Sequence, residues 1–324
     1  MRQLQYIQAI NEAMHEEMRR DDSVFVIGED VDQFGGVFKA TVGLCEAFGA
    51  RRVRGTPISE AAFTGLAVGA ALKGLHPIVE FMYFDFVGVA MDPLINQMAK
   101  LKVMSGGQLN VPVTVRAQAG SRTREAAQHS NSLEAWFVHV PGIKVVMPAT
   151  VYDAKGLLKA AIREPSPVLY IENRLLYYET ESVPDGEWLV PLGQAEVVRQ
   201  GKDVTVVALG WTRRLALAAA QALANTIDVE VIDPRSLQPF DLPAVLRSVE
   251  KTGRMIVVHD APARCGFGAE VVRQVVEKGF DSLDAEPIVV AGLPVSMPFS
   301  PVLEDACVVN MEAIVTAIRK LLPR

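Results

Sequence analysis

Thr56-Pro57-Ile58-Ser59-Glu60 opens directly into Ala61-Ala62-Phe63-Thr64-Gly65-Leu66-Ala67-Val68-Gly69-Ala70-Ala71-Leu72. The second stretch is small and apolar on every side, the pattern of a helix buried all round. Ser59 is a good N-cap residue, and an acid suits the first helical turn. Glu60 is therefore expected at the mouth of a closely packed helix. Read alone, it is a capping acid; read with its surroundings, it is a candidate catalyst. On the N-terminal side lies Val24-Phe25-Val26-Ile27, a buried strand ending at Gly28-Glu29-Asp30. On the C-terminal side lies His76-Pro77-Ile78-Val79-Glu80-Phe81-Met82, a second strand with proline where a strand start tolerates it. A buried helix between buried strands is the βαβ unit of a mostly parallel sheet.

The same alternation runs outward. Val111–Arg116, Ile143–Met147 and Val168–Ile171 read as strands, and Tyr6–Asp21, residues 88–103 and Val151–Arg163 as helices. Thr150 with Asp153 forms a capping signature for the last of these. The polar stretch Thr180–Trp188, with Pro184 and Gly186, reads as a linker. A second alternating set follows. Val204–Leu209, Val229–Ile232, Met255–Val258 and Pro287–Val290 are its strands; Trp211–Ala224, Gly266–Lys278 and Met311–Leu322 are its helices. The expected architecture is α/β with two domains, residues 1–185 and 186–324, each a mostly parallel sheet flanked by helices.

Bulk composition narrows the function classes. The chain has 324 residues, half of them hydrophobic, and a net charge of -6, which disfavours nucleic acid as a partner. Cys45, Cys265 and Cys307 form no CxxC pair, as suits a reduced, cytoplasmic protein. No signal or transit peptide is recognisable, and no apolar run has the ~18–20 residues of a membrane span. No dinucleotide fingerprint, Walker motif, zinc spacing or GxSxG elbow occurs.

Ligands of open parallel sheets gather at the carboxyl ends of strands. Applied here, that rule collects Glu29 and Asp30 after the first strand, and Met82, Tyr83, Asp85 and Phe86 after the second. The loop Ala117–Ser130, which holds His129, follows the third. Glu60 enters from the same side. Carboxylates, aromatics and one histidine make a pocket with a polar handle and apolar walls, half of an active site. Phe86 and Met82 read equally as core, and a lone loop histidine as a surface residue.

Several motifs fall in a familiar order. They are Gly28-Glu29-Asp30-Val31, Gly35-Gly36-Val37-Phe38, Thr56–Glu60, Glu80-Phe81-Met82, Gln128-His129-Ser130, Pro141–Val146, Asp153–Leu158 and Asp233-Pro234-Arg235-Ser236-Leu237. The chain resembles, over almost its whole length, the β subunits of the thiamine-diphosphate-dependent E1 component of 2-oxoacid dehydrogenase complexes. That group covers pyruvate, branched-chain 2-oxoacid and acetoin dehydrogenases within the transketolase-like superfamily. The resemblance implies a pyrimidine-binding domain followed by a transketolase C-terminal-like domain for assembly and E2 docking.

It also implies roles. Glu60 would hold N1' of the aminopyrimidine of thiamine diphosphate, Phe86 would stack on that ring, and Met82 would line its pocket. His129 would face the reacting centre, and Glu29 would stand behind Glu60. Backbone carbonyls around Ala161, Ile162, Glu164 and Ser166 match a monovalent-cation loop, a K+ site in relatives. Mg2+ and the diphosphate would be held by an E1 α partner in an α2β2 assembly, with Gly65 and Gly69 allowing close helix contact. Acyl transfer would go to a lipoyl-bearing E2. Pyruvate is the favoured substrate, with acetoin or a branched-chain 2-oxoacid as alternatives; a transketolase-like subunit and a non-catalytic scaffold are further readings. One segment departs from the family pattern. Gly120-Ser121-Arg122-Thr123-Arg124-Glu125-Ala126-Ala127 replaces a glycine-rich loop, and Asn131 stands after the His-Ser pair. The loop should be stiffer and more basic, with Arg122 and Arg124 as solvated charges.

Overall fold

A computed structural model describes residues 1–322. The chain forms two compact units. One comprises Met1–Ala119 and Trp136–Leu192; the other comprises Gly120–Ala135 and Gly193 onward.

The first unit runs β1 (Arg2–Gln5), α1 (Tyr6–Arg20), β2 (Val24–Glu29), α2 (Leu44–Phe48), β3 (Val53–Thr56), α3 (Glu60–Ala71) and β4 (His76–Phe81). It continues through α4 (Leu101–Met104), β5 (Thr114–Ala119), α5 (Glu134–Val138, which begins in the second unit), β6 (Lys144–Val146), α6 (Val151–Ile162), β7 (Val168–Asn173) and β8 (Thr180–Val183). Its main sheet has the order β6-β7-β5-β4-β2-β3, parallel throughout. The strands β2, β5 and β7 are buried along their whole length, hence their continuous apolar reading. The capping signature of α6 is real: Thr150 Oγ1 accepts from the Asp153 amide at 3.0 Å.

Three local expectations change. Thr180–Val183, read as linker, is a strand pairing antiparallel with β1, Arg2 opposite Val183. Neither segment is apolar enough to be recognised alone; each is a strand because the other is there. Residues 88–103, read as one helix, break into a 3-10 turn (Phe84–Gly88), a π-helical segment (Asp92–Met98) and α4. Gly88 and Pro93 explain the break, since Pro93 cannot donate into a preceding turn. The strand expected over Val111–Arg116 starts at Thr114, after Pro112.

The second unit runs β9 (Glu196–Arg199), β10 (Val204–Ala208), α7 (Thr212–Leu223), β11 (Val229–Asp233), β12 (Ser236–Gln238) and α8 (Leu242–Thr252). Then come β13 (Met255–Pro262), α9 (Phe267–Gly279), β14 (Ile288–Gly292), α10 (Pro301–Cys307) and α11 (Met311–Leu321). Its sheet has the order β14-β13-β10-β11-β9, parallel except for β9. The core joins Val204, Val206, Val229, Val231, Ile256 and Val258 of the strands to Ala216, Ala220 and Leu223 of α7 and Ile314 and Ile318 of α11. Among the described residues no helix is long and apolar enough to cross a membrane.

Candidate active site

The carboxyl ends of β2, β3 and β4 carry the acids. Parallel pairing sets Glu29 level with Thr56 and Gly28 level with Glu80. The strands approach closely there. A Cβ on Gly28 would stand 2.6 Å from the Glu80 carbonyl oxygen, and one on Gly55 would stand 2.1 Å from Asp32 Oδ1. At Gly28 the obstacle is backbone, so only glycine leaves room; at Gly55 the Asp32 carboxylate would have to move.

Glu60 is the first residue of α3 and is 6 % exposed. Ser59 occupies the N-cap position, but its hydroxyl does not cap the helix; it donates to the Pro57 carbonyl at 3.2 Å. The expected serine cap is absent because the backbone there turns away from the geometry that aims the side chain at the first amides. The helix also differs from the all-round burial expected. Phe63, Thr64, Ala67, Val68 and Ala71 are buried, whereas Ala61, Ala62, Gly65, Leu66 and Gly69 are exposed. An apolar outward face on a helix is an unfinished contact within this chain.

Glu29, the last residue of β2, is equally buried. Its carboxyl is pushed up to about 7, first by burial and then by the charges of Glu60 and Asp30. Its Oε1 has no hydrogen-bond partner, and neither has the buried Thr56 hydroxyl opposite. A raised acid beside a second acid at a helix start, with unmet polar atoms, suits a polar ligand.

Met82 and Phe86 follow β4 and are half-buried. Phe86 lies in the 3-10 turn, with its ring edge-on to Tyr83 at 6.1 Å between centroids. Tyr83 in turn meets Phe38 edge-on at 5.5 Å, and Arg174 lies over Phe38 at 4.8 Å. The side-chain amide of Gln118 on β5 faces the carbonyl oxygens of Phe81 and Met82, which only its nitrogen can satisfy, so it holds that turn. Phe38, Tyr83 and Arg174 build this aromatic wall; the sequence reading placed Tyr83 at the pocket but gave Phe38 and Arg174 no role. Phe38 and Arg174 lie 136 positions apart in the chain, and nothing local links them.

On β5, Arg116 is fully buried. It binds Glu80 at 2.5 Å and Glu172 at 2.7 and 3.1 Å, and Tyr177 donates to Glu172 at 2.6 Å. Burial would lower the Arg116 pKa, but the two carboxylates more than offset it and raise it. This network fixes β4, β5 and β7 in register below Glu29 and Met82. It was unforeseen, since one arginine in an apolar strand carries no periodic signal.

His129 belongs to the second unit, in the loop that follows β5. Its amide bonds the Ala126 carbonyl at 3.4 Å, and Asn131 Nδ2 bonds the Ala127 carbonyl at 3.0 Å. Arg122 and Arg124, expected as solvated charges, are ion-paired to Asp260, Glu304 and Asp305 instead. Ala161, Ile162, Glu164 and Ser166 lie at and just past the C-terminus of α6, where the helix dipole is negative. The Ala161 carbonyl accepts from the Glu164 amide at 3.2 Å.

Comparison with known proteins matches both halves of the chain. The family described as transketolase, pyrimidine binding domain, matches residues 2–180, and that described as transketolase, C-terminal domain, matches residues 193–314. The chain is 47 % identical, over 96 % of its length and 68 % of the relative's, to the pyruvate dehydrogenase E1 component subunit beta of Rhizobium meliloti. It is 45 % identical, over 97 % of its length and 96 % of the relative's, to the acetoin:2,6-dichlorophenolindophenol oxidoreductase subunit beta of Bacillus subtilis. Among solved structures it is similar to an inactive β4 tetramer of a split-gene transketolase, with TM-score 0.79 and 23 % identity, covering 98 % of this chain and 97 % of that one. Two matched domains and near-full-length relatives place the chain in one family: it belongs to the transketolase-like β subunits, with those of pyruvate dehydrogenase E1 and acetoin oxidoreductase.

Proposed function

We propose that the chain is the β subunit of a thiamine-diphosphate-dependent 2-oxoacid dehydrogenase E1, with pyruvate the favoured substrate and acetoin the alternative. The observation that carries this reading is Glu60, buried at the first turn of α3 beside a Glu29 whose carboxyl is raised to about 7. The orphaned Glu29 oxygen, the aromatic wall and the half-buried Met82 fit an aminopyrimidine. When bound, thiamine diphosphate supplies a nucleophilic carbon and an electron sink for decarboxylation. Glu60 would hold a hydrogen bond at N1' from the positive end of the helix. Glu29 keeps a proton in reserve and limits the charge beside Glu60. Phe86 and Met82 orient the ring. His129 would place the 2-oxoacid or handle protons during acyl transfer to a lipoyl group.

An E1 α subunit supplies the diphosphate and Mg2+ half of the site in an α2β2 assembly, and the exposed Ala61, Gly65, Leu66 and Gly69 face of α3 suits such a partner. The second domain docks the lipoyl-bearing E2. The α6 C-terminus, Ala161 to Ser166, suits a K+ ion, since carbonyl oxygens are its natural ligands. Function divides near residue 185 between pyrimidine binding and assembly, and the protein works in the cytoplasm.

The test is Glu60→Gln in the complex assembled with its α partner, assayed by dye reduction with pyruvate and, in parallel, acetoin. Turnover should fall about 10²–10⁴-fold, the range for losing a general acid–base group, with assembly unchanged. Near-normal turnover in that variant would sink the reading.

A further inference from the structure

The loop Gly120–Asn131 is held to the second unit by an arginine clamp. Arg122 Nη1 binds Asp260 Oδ1 at 2.5 Å, its Nη2 binds the Val309 carbonyl at 2.5 Å, and its guanidinium lies over Trp211 at 4.4 Å. The Arg122 amide donates to Glu304 Oε1 at 2.6 Å. Arg124 adds Glu304 Oε2 at 2.8 Å, Asp305 at 2.7 Å and the Pro301 carbonyl at 3.0 Å. Glu304 is fully buried, so its two oxygens serve both arginines out of water. These contacts reach β13, the start of α7 and both sides of α10 from one short loop.

Backbone conformation points the same way. Arg122, Arg124 and Ala126 take φ of +74°, +63° and +61°, a region that favours glycine. Three such residues at alternate positions persist only where the surroundings over-determine them. The clamp supplies that constraint on one limb. On the other, His129 hangs from the left-handed Ala126 through its amide, and Gly120 bonds the Asn131 carbonyl across the base at 3.5 Å.

We infer that Arg122, supported by Arg124, is a positioning residue that fixes the loop and thereby sets where His129 stands. The inference rests on the role given to His129 above. A planar guanidinium with two fixed acceptors and a stacking partner orients a chain in a way a point charge does not.

The experiment compares Arg122→Ala, Arg122→Lys, Arg124→Ala and His129→Ala, and the Arg122→Ala/His129→Ala double variant, in the assembled complex. Readouts are amide hydrogen exchange over residues 120–131 and kcat and KM in dye reduction. In Arg122→Ala, exchange in the loop should rise at least tenfold and kcat should fall 10–100-fold. Arg122→Lys should restore only part of either, and Arg124→Ala should show the same changes more weakly. In the His129→Ala background, removing Arg122 should cost no further turnover. Unchanged exchange, or a full additional loss in the double variant, would overturn the inference while leaving the role of His129 intact. If His129→Ala alone has normal turnover, the role of His129 fails, and exchange in Arg122→Ala and Arg124→Ala judges the clamp by itself. Should Arg122→Ala not assemble, Arg124→Ala, whose side chain is more exposed, carries the same comparison.

Discussion

Glu29 and Glu134 have carboxyls pushed up to about 7. Glu29 owes its raised carboxyl to burial and to Glu60. Glu134, 1 % exposed, is pushed up to about 7 mainly by burial, with Asp260 adding a like charge. Its Oε2 has no hydrogen-bond partner. The consequence has a definite sign. The unfolded chain releases this proton near 4.5 and the folded chain near 7, so the native state binds more protons between those values. Stability is fully present below about 4.5 and is lost as pH rises to 7. At pH 8 the cost corresponds to about 3 kcal/mol, because one pKa unit is ~1.4 kcal/mol. Glu134→Gln should therefore raise the apparent melting temperature by several degrees at pH 8 and leave it nearly unchanged at pH 4.5. An equal shift at both pH values would mean that packing, not charge, separates the two side chains.

Helices α1 and α6 meet largely through charges. Lys155 and Lys159 of α6 are essentially unexposed. Lys155 binds Glu16 of α1 at 2.6 Å and Glu12 at 3.3 Å, and Lys159 binds Glu16 and, at 3.3 Å, Glu17. Arg163 binds the fully buried Glu17 at 2.7 Å. Glu16 is the shared acceptor, so removing it strands two buried cations at once. Glu16→Ala should cost about 2–3 kcal/mol, below the ~3–5 kcal/mol of a fully broken buried pair because Glu12 and Glu17 remain. Chemical unfolding of the wild type and variant measures it; a change under 0.5 kcal/mol would mean the pairs merely balance their desolvation. This interface also marks the limit of sequence reading at the level of elements. Tyr6–Arg20 was recognisable as a helix from its buried Ile7, Ile10, Met14 and Met18, yet nothing in the sequence pairs its glutamates with the lysines of α6. Strands 24–29, 76–81 and 168–173 were legible because both faces are buried. The β1–β8 pair was not, because its stability is entirely cross-chain pairing between residues nearly 180 positions apart. Glu60 and Phe86 stood out through their motifs, whereas Arg116 and the Arg122 clamp depend on partners the sequence does not bring near.

Across the whole molecule the unusual titrations set a pH window. His259 is buried at 1 % exposure, with Gly266 and Gly268 packed on its ring, and burial lowers its pKa to about 4 despite the nearby Asp260 charge. The unfolded chain protonates this histidine near 6.5 and the folded chain only near 4, so its contribution is lost as pH falls between them. Glu29 and Glu134 act in the opposite sense between about 4.5 and 7. Two acids outweigh one base where the ranges overlap, and above about 6.5 the acids act alone. Below about 4.5 a further loss begins, since Glu12 and Glu17, where surrounding arginines and lysines outweigh burial, are held below the usual carboxylate range. The apparent melting temperature should thus peak near pH 5 and decline by several degrees toward pH 7.5. Glu29→Gln/Glu134→Gln should flatten the alkaline limb, while His259→Phe should steepen the decline between about 4.5 and 6.5 and weaken the loss on the acid side between about 4.5 and 4. Thermal unfolding in matched ionic strength from pH 4 to 8, without added cofactor, separates the two limbs. A wild-type profile that rises from pH 5 to 7.5 would show that the buried glutamates do not govern the pH dependence of this fold.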